Sequence, residues 1–273
     1  MGPGCDREMG INLIMPMGGS GSRFSGMGFD LPKPLIPIHG RPFLFWSAES
    51  VRKFIGLQSL TFVVLQDHIE RFKIDTAIRQ FYPDAIIHVL DKVLNGAVLT
   101  CLRGVTAIDN DRPVLFNDCD HIFTCREFVA FCSQQENGSI KGNKNGKNNT
   151  VANGNIDRNI DGALLTFESS EPKFSFVMLD ETGYAVKTAE KKVISNNAIC
   201  GAYYFRDRWT FELAAKEYLN EPVHSEYYMS GVYNTMIRQK AAIRTFKVDM
   251  HLPFGTPGEY DSAIKSDAFE VFV

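Results

Sequence analysis

Ile11-Asn12-Leu13-Ile14-Met15-Pro16-Met17-Gly18-Gly19-Ser20-Gly21-Ser22-Arg23, followed shortly by Pro32-Lys33-Pro34, is the stretch from which the fold is read. A short apolar run of strand character, Ile11 to Met15, empties into a loop of glycine and serine. Glycine lacks a Cβ and reaches backbone conformations that other residues avoid. Successive N–H groups can then turn inward as a cradle for an anion. Arg23 adds a planar fork of donors that matches phosphate oxygens, and Lys33 adds a point charge between two prolines that stiffen its segment. The loop is not a P-loop, because no Gly-Lys-Ser/Thr closes it. It is a poor dinucleotide fingerprint as well, because Arg23 and Phe24 stand where a third glycine would open a helix.

The 273 residues are 44% hydrophobic and 22% charged, an ordinary globular composition. A formal net charge of −3 gives no global field to recruit nucleic acid. A site for a polyphosphate therefore needs locally placed cations, and Arg23 and Lys33 supply them. No apolar segment has the length to span a bilayer, and Met1–Gly10 lacks the layout of a signal peptide; it reads as an unstructured start or a cloning remnant. The cysteines Cys5, Cys101, Cys119, Cys125, Cys132 and Cys200 form no Cys-x-x-Cys pair. They read as free thiols in a reducing cytoplasm, and Cys119, His121 and Cys125 have no recognised zinc spacing.

Outward from the loop, apolar runs of strand length alternate with amphipathic stretches. Helical patterns over Pro42–Phe54, His68–Gln80, Gly96–Ile108 and Arg126–Gln135 separate strands at Ile11–Met15, Leu60–Leu65, Ala85–Leu90 and Pro113–Phe116. This predicts an α/β protein, a Rossmann-like three-layer arrangement around a mixed, mostly parallel sheet covered on both faces. Such sheets bind ligands at the carboxyl ends of their strands. Residues 136–161, rich in Asn, Gly and Lys, bury too little apolar surface to offset their ordering entropy and read as a flexible insertion. Beyond it, strands at Ala163–Phe167, Phe176–Leu179, Ala185–Thr188, Ala198–Phe205 and Ala241–Val248 are expected, with helices at Trp209–Leu219, Tyr228–Gln239 and Glu259–Ile264. One domain over residues 11–267 is expected, with a nucleotide-binding and an acceptor-binding half.

Phe116-Asn117-Asp118-Cys119-Asp120-His121 follows a strand. Carboxylates spaced i, i+2 at a strand end can be presented to a hard cation such as Mg²⁺, which takes oxygen ligands and keeps waters and substrate phosphates as partners. The alternative is a pair of ordinary turn residues, since Asp is common where strands stop. Glu190-Lys191, ahead of the Gly201-Ala202-Tyr203-Tyr204-Phe205 run, reads alone as a solvated surface pair.

Taken in order, the glycine loop with Arg23, the Pro-Lys-Pro lysine, the strand-end Asp118/Asp120, Glu190-Lys191 and Gly255-Thr256-Pro257-Gly258-Glu259-Tyr260 resemble the sugar-phosphate nucleotidyltransferase family. The resemblance implies the nucleotide-diphospho-sugar transferase, GT-A-like fold. It also implies an enzyme of the nucleotidyltransferase class that joins a nucleoside triphosphate to a sugar 1-phosphate and releases pyrophosphate, with Mg²⁺ as cofactor. It gives Arg23, Lys33 and Asp120 catalytic roles and places nucleotide on Gly18, Gly19, Ser20, Gly21, Ser22, Gln66 and Gly96. Glu190 and Lys191, with Lys192 as an alternative bearer, would hold the acceptor. Asp120 would bind metal, with Asp118 as helper, and Cys119 stands where glycine is usual. Many relatives carry an aspartate just before the Gly-Thr as a second metal ligand; Phe254 stands here, and Asp249 is the nearest upstream carboxylate. Partners would be the two small substrates, with neither nucleic acid nor membrane, and a homo-oligomer is compatible. Surface polysaccharide or capsule synthesis is the process such products commonly feed. A cytidylyltransferase for a non-sugar phosphate, a metal-dependent glycosyltransferase and a non-catalytic nucleotide sensor are the rival readings.

Overall fold

The computed structural model of the chain describes residues 10–19, 21, 24, 28–138, 160–220 and 226–273. Ser20, Ser22 and Arg23 of the glycine loop, the start before Gly10 and residues 139–159 of the insertion lie outside the described residues.

The elements follow the expected alternation. Strand β1 (Ile11–Pro16) leads through the glycine loop to a small hairpin of β2 (Pro37–Ile38) and β3 (Arg41–Pro42). Then come α1 (Phe43–Arg52), β4 (Leu57–Leu65), α2 (Gln66–Phe72), α3 (Ile74–Phe81), β5 (Ile86–Leu90), α4 (Ala97–Val105), β6 (Val114–Asn117), β7 (His121–Thr124) and α5 (Arg126–Gly138). The second half runs β8 (Gly162–Glu168), β9 (Phe176–Leu179), β10 (Ala185–Ala189), β11 (Asn197–Phe205), α6 (Arg208–Leu219), α7 (Met229–Arg238), β12 (Ile243–Lys247), β13 (Met250–Pro253) and α8 (Pro257–Ala263).

One large mixed sheet holds the order β10-β9-β11-β6-β1-β4-β5, with β8 beside β11 and β12 beside β8. The strands β6, β1, β4 and β5 are parallel, as are β8 and β12. Where β11 enters, its pairings with β6, β8 and β9 are antiparallel. The pleat explains why the central strands read as continuous apolar runs. Leu13, Met15, Phe62 and Val64 face one side and pack with Leu44, Val51, Ile78 and Phe128 of α1, α3 and α5. Ile14, Val63 and Leu65 face the other and pack with Val98, Cys101, Phe211 and Met236 of α4, α6 and α7. Both faces are dry, so neither set alternates with polar residues. A third, largely aromatic cluster joins Phe24, Phe43, Trp46 and Phe254 to Phe269 and Phe272 near the end of the chain.

Three readings of the sequence change. The single helix expected over His68–Gln80 is two, because Lys73 takes the left-handed conformation at φ 54° and ends α2. Glu136–Gly138, read as the start of the insertion, continue α5. The strands β7 and β13, each of 4 residues and without a clear apolar pattern, pair antiparallel in a small sheet of their own. Among the described residues no helix is long and apolar enough to cross a membrane, and Cys101, Cys119, Cys125 and Cys200 are buried free thiols.

Helix α4 is seated on the sheet through Gly104. A Cβ there would lie 2.8 Å from Ile14 Cγ2 and 2.9 Å from Val63 Cγ2. Gly104→Val therefore overpacks this contact, and we expect it to lower stability by about 1–3 kcal/mol, measured by urea unfolding followed by circular dichroism. A midpoint at or above that of the parent protein refutes this packing account.

Candidate active site

The carboxyl ends of β1, β5 and β6 open onto one cleft, as expected for strands of this handedness. It contains two cavities. The first, about 490 Å³, is lined by Gly18, Gly19, Lys33, Asn95, Gly96 and Glu226 among others. The second, about 460 Å³, is lined by Glu190, Lys191, Gly201, Tyr228, Thr256 and neighbouring residues. Asp118, Asp120 and Ala97 line both. Gln66 lines neither: it is exposed at the start of α2, and its amide donates to Glu70 Oε1 at 2.8 Å. Gly21 sits under Lys33, with 3.1 Å between its would-be Cβ and the Lys33 nitrogen, in a left-handed conformation at φ 65° that suits glycine.

The turn that carries the two aspartates is pinned from outside. Ser47 Oγ of α1 donates to the His121 carbonyl at 2.7 Å, and Asn117 Nδ2 donates to the Ser47 carbonyl at 3.0 Å. The Asp118 N–H donates to the Gly201 carbonyl at 2.9 Å, and the Phe254 N–H donates to the Asp120 carbonyl at 2.8 Å. Two glycines leave room for the carboxylates. A Cβ on Gly201 would lie 2.8 Å from Asp118 Oδ2, and one on Gly255 would lie 2.3 Å from Asp120 Oδ2.

Lys33 Nζ donates to Asp120 Oδ2 at 2.7 Å. Burial alone would lower the Lys33 ammonium, but the charge of Asp120, the neighbouring Cys119 and Asp118 and the hydrogen bond to Asp120 together outweigh it, and its pKa is raised. Burial raises the Asp118 carboxyl, and the charge of Asp120 raises it further, while Lys33 opposes both. Two neighbouring acids with a single lysine, paired to Asp120, favour an additional cation. The donor set fits Mg²⁺: hard carboxylate oxygens in an open cleft, with room for waters and phosphates to complete the sphere. Among the described residues no cluster of three or more His, Cys, Asp or Glu could hold a metal, so protein ligation would rest on Asp118 and Asp120.

On the other wall, Glu190 Oε2 accepts hydrogen bonds from Ser175 Oγ and Ser230 Oγ. Lys191 Nζ donates to Tyr228 Oη at 3.2 Å and lies 4.8 Å from that ring's centroid. Glu190 thus sits with one oxygen held by serines from two elements, whereas half of the Lys191 side chain is exposed. Neither serine nor Tyr228 was marked by a motif, because each is separated in sequence from the pair it serves.

Gly96 stitches the two halves together. Its φ is 101°, and a Cβ would lie 2.4 Å from the Tyr227 nitrogen. The Tyr227 carbonyl accepts from the Val98 N–H at 3.2 Å, and the Tyr227 N–H donates to Asn95 O at 3.3 Å. The end of β13 holds a further surprise. His251, Pro253 and Gly255 face the second cavity, whereas Phe254 is fully buried in the aromatic cluster. A carboxylate at position 254 would therefore point away from Asp120, and the cleft-facing position beside it is Pro253. Asp249 is engaged elsewhere: its carboxylate accepts from the Arg126 N–H and guanidinium at the start of α5.

Two histidines, His121 buried and His251 half-buried, complete the second cavity. His121 on β7 and His251 on β13 meet edge to face with ring centroids 5.3 Å apart. Burial pushes His121 down to about 4 and His251 down to about 3, so both rings are neutral near pH 7. Sequence reading quoted His121 within the aspartate phrase but gave it no task. The alternation of His251 with Gly255 was its one available signal for the other.

No family model matches the chain, and no curated protein matches it. Solved structures do. A nucleoside-diphosphate-sugar pyrophosphorylase from Vibrio cholerae RC9 superposes with a TM-score of 0.74 at 20% identity, over 93% of this chain and 100% of that one. A putative glucose-1-phosphate thymidylyltransferase from Bacillus anthracis gives 0.70 at 16% identity, over 95% and 98% of the two chains. The inositol-1-phosphate CTP transferase from T. maritima gives 0.67 at 14% identity, over 97% and 95%. The chain has the fold of the sugar-phosphate nucleotidyltransferases.

Gly96→Ala tests the link between the halves. A positive φ together with a clash against backbone is expected to cost about 1–3 kcal/mol. Hydrogen exchange is the measurement: the Val98 and Tyr227 amides should lose more protection than the amides of β1 and β4. Unchanged protection at both amides contradicts the link.

Proposed function

We propose that the chain is a nucleotidyltransferase that joins a nucleoside triphosphate to a phosphorylated acceptor, a sugar 1-phosphate in the first instance, and releases pyrophosphate. The observation that carries this reading is the shared wall. One cavity opens on the glycine loop and Lys33, the other on Glu190 and Lys191, and Asp118 and Asp120 line both. Two phosphorylated substrates on opposite sides of one carboxylate pair would bring their phosphates together there.

In this reading an oxygen of the acceptor phosphate attacks the α-phosphorus of the triphosphate. The new P–O bond forms as the bond to the bridging oxygen breaks, and pyrophosphate leaves with that electron pair. A phosphate nucleophile is already anionic near neutral pH and needs no general base. The chain's task is alignment and charge neutralisation, which dominate such transfers. The Gly18–Gly19 backbone approaches the triphosphate, and Lys33 neutralises it. Arg23, assigned from its place in the motif alone, adds a second cation. Asp120, with Asp118, would hold Mg²⁺, which when bound supplies positive charge between the joining phosphates. Lys191 would grip the acceptor phosphate, while Glu190, fixed by Ser175 and Ser230, would accept from acceptor hydroxyls. The likeness to the inositol-1-phosphate CTP transferase from T. maritima keeps a non-sugar phosphate acceptor, with CTP as donor, within the same chemistry. A polysaccharide or capsule role belongs to this proposal as the use of its product.

Pyrophosphate release across a matrix of nucleoside triphosphates and phosphorylated acceptors tests the reading. We expect one strongly active pair, loss of activity in EDTA and recovery with Mg²⁺. Lys33→Ala and Asp120→Asn should each lower kcat/KM by roughly 10²–10³, the scale of losing a preorganised charge at a reacting centre, with little change in Tm. A folded parent protein that is silent throughout the matrix, or full turnover in both variants, rejects the proposal.

A further inference from the structure

The large sheet ends in three edge strands, and two of them are guarded. At β10 the Asn234 amide accepts from the Thr188 N–H at 2.8 Å and donates to the Thr188 carbonyl at 2.9 Å. At β12 Tyr184 bridges to Arg244, and Arg244 and Lys247 place charges on the strand. The third edge is β5, which among the described residues pairs with β4 alone. No side chain of the described residues hydrogen-bonds to its backbone. An open edge is a template for another strand, and proteins commonly blunt it with lysine, proline or a bulge. The sequence of β5, Ile86-Ile87-His88-Val89-Leu90, contains neither residue, and its ladder to β4 runs without a break in register. Ile86 and Val89 are 38% and 39% exposed, and Val93 just beyond is 52% exposed.

Charges stand only past the ends of this strand: Asp84 before it, Asp91 and Lys92 after it, all exposed and none in an ion pair among the described residues. The segment is self-complementary when turned end for end. A two-fold axis perpendicular to the sheet sets two copies of β5 antiparallel and keeps each side chain on its own face. With the axis at His88, Ile86 faces Leu90 of the second copy and Ile87 faces its Val89. Asp84 then comes opposite Lys92 at both ends. Moving the axis one residue back sets Ile86 against His88 and Asp84 against Leu90. Moving it one residue forward sets Ile86 against Lys92 and Ile87 against Asp91. Only the register about His88 matches apolar residues with apolar ones and acid with base.

We propose that β5 is the contact edge of a two-fold dimer, in which two copies of this chain join their sheets by antiparallel pairing of β5 about His88. The pairing gives the outer backbone groups of the strand partners and covers the exposed apolar side chains. Facing side chains across such a pair are the unit of its stability, and opposite charges at the ends add to it. Burial, with Arg103 nearby, lowers the His88 pKa, so the two rings that meet on the axis are uncharged near pH 7. An edge of five residues is a small interface of the transient kind, so the dimer forms reversibly as concentration rises. The inference is independent of the nucleotidyltransfer reading and its test uses no substrate.

Sedimentation velocity of the full chain over a concentration series is the test, with circular dichroism to confirm folding of each variant. The parent protein should pass from monomer to dimer within roughly 1–500 µM, the range of a small, transient interface. Val89→Lys places a charge on the edge and should leave monomer throughout. Asp84→Lys and Lys92→Asp each set like charges opposite one another and should weaken association by roughly fivefold or more. The double variant Asp84→Lys/Lys92→Asp exchanges the charges and should restore it. These two positions lie outside the strand and keep the test decisive if Val89→Lys does not fold. Facing Cα atoms in an antiparallel pair lie about 4.5–5.5 Å apart, within disulfide reach. His88→Cys should therefore cross-link to its own copy under mild oxidation above the level of the parent, whereas Ile86→Cys, two positions off the axis, should not. A parent that stays monomeric across the series, or a dimer that survives in folded Val89→Lys, overturns the inference. So does a double variant that associates no better than the single ones, or cross-linking at position 86 equal to that at 88.

Discussion

The site depends on the turn from Asn117 to His121, which places two carboxylates two residues apart at the end of a central strand. Like charges so close and so little solvated repel one another, and burial makes each more costly. Lys33 answers one of them directly, 2.7 Å from Asp120. The rest of the arrangement is steric. Ser47 holds the turn from the helix side, and Gly201 and Gly255 approach the two carboxylates so closely that neither position admits a Cβ. A change at either glycine would reach the chemistry without touching a charged residue.

This constraint explains why the sheet is mixed. The parallel strands β6, β1, β4 and β5 bring their carboxyl ends to one edge, where the glycine loop and Lys33 line the first cavity. The second cavity needs a wall facing the first. β11 supplies it by running antiparallel beside β6, so that its irregular stretch at Gly201 comes alongside Asp118. The segment at Tyr227 then closes back onto Asn95 and Val98, where Gly96 allows backbone to pass over backbone. Gly96 therefore has a packing reason to be glycine, independent of any contact with a base.

Much of this was legible in the sequence where local physics decides the outcome. Continuous apolar runs gave the buried strands, since both faces of the sheet are covered. The glycine loop, Lys33, the aspartate pair and Glu190-Lys191 were visible as motifs, and the structure gathers Gly18, Gly19, Lys33, Asp118, Asp120, Glu190 and Lys191 around one cleft. What sequence did not reveal depends on partners distant along the chain. β7 and β13 are too short to show a period, and each is a strand because of the other. Lys73 breaks a helix whose apolar spacing continues across it, because a single left-handed residue leaves the pattern almost intact. Gln66 was placed near the base by its position after a strand, but Glu70, one turn along the same helix, takes its amide.

The end of β13 shows how a one-residue shift in alternation changes a functional reading. Phe254 stands where the motif order led us to look for a second metal-binding acid, yet its ring packs against Phe43, with centroids 4.6 Å apart, on the side away from the cleft. Successive residues in extended chain face opposite ways, so the positions that look at Asp120 are Pro253 and Gly255. Proline offers no ligand and glycine offers only space. Both carboxylates available to a cation therefore come from a single turn rather than from two strands. Their separation is set by covalent geometry and by the groups that pin that turn. A cation held by this one turn would be insensitive to small relative movements of the two halves, so in the proposed reading the wall at Glu190 and Lys191 could adjust without disturbing its ligands.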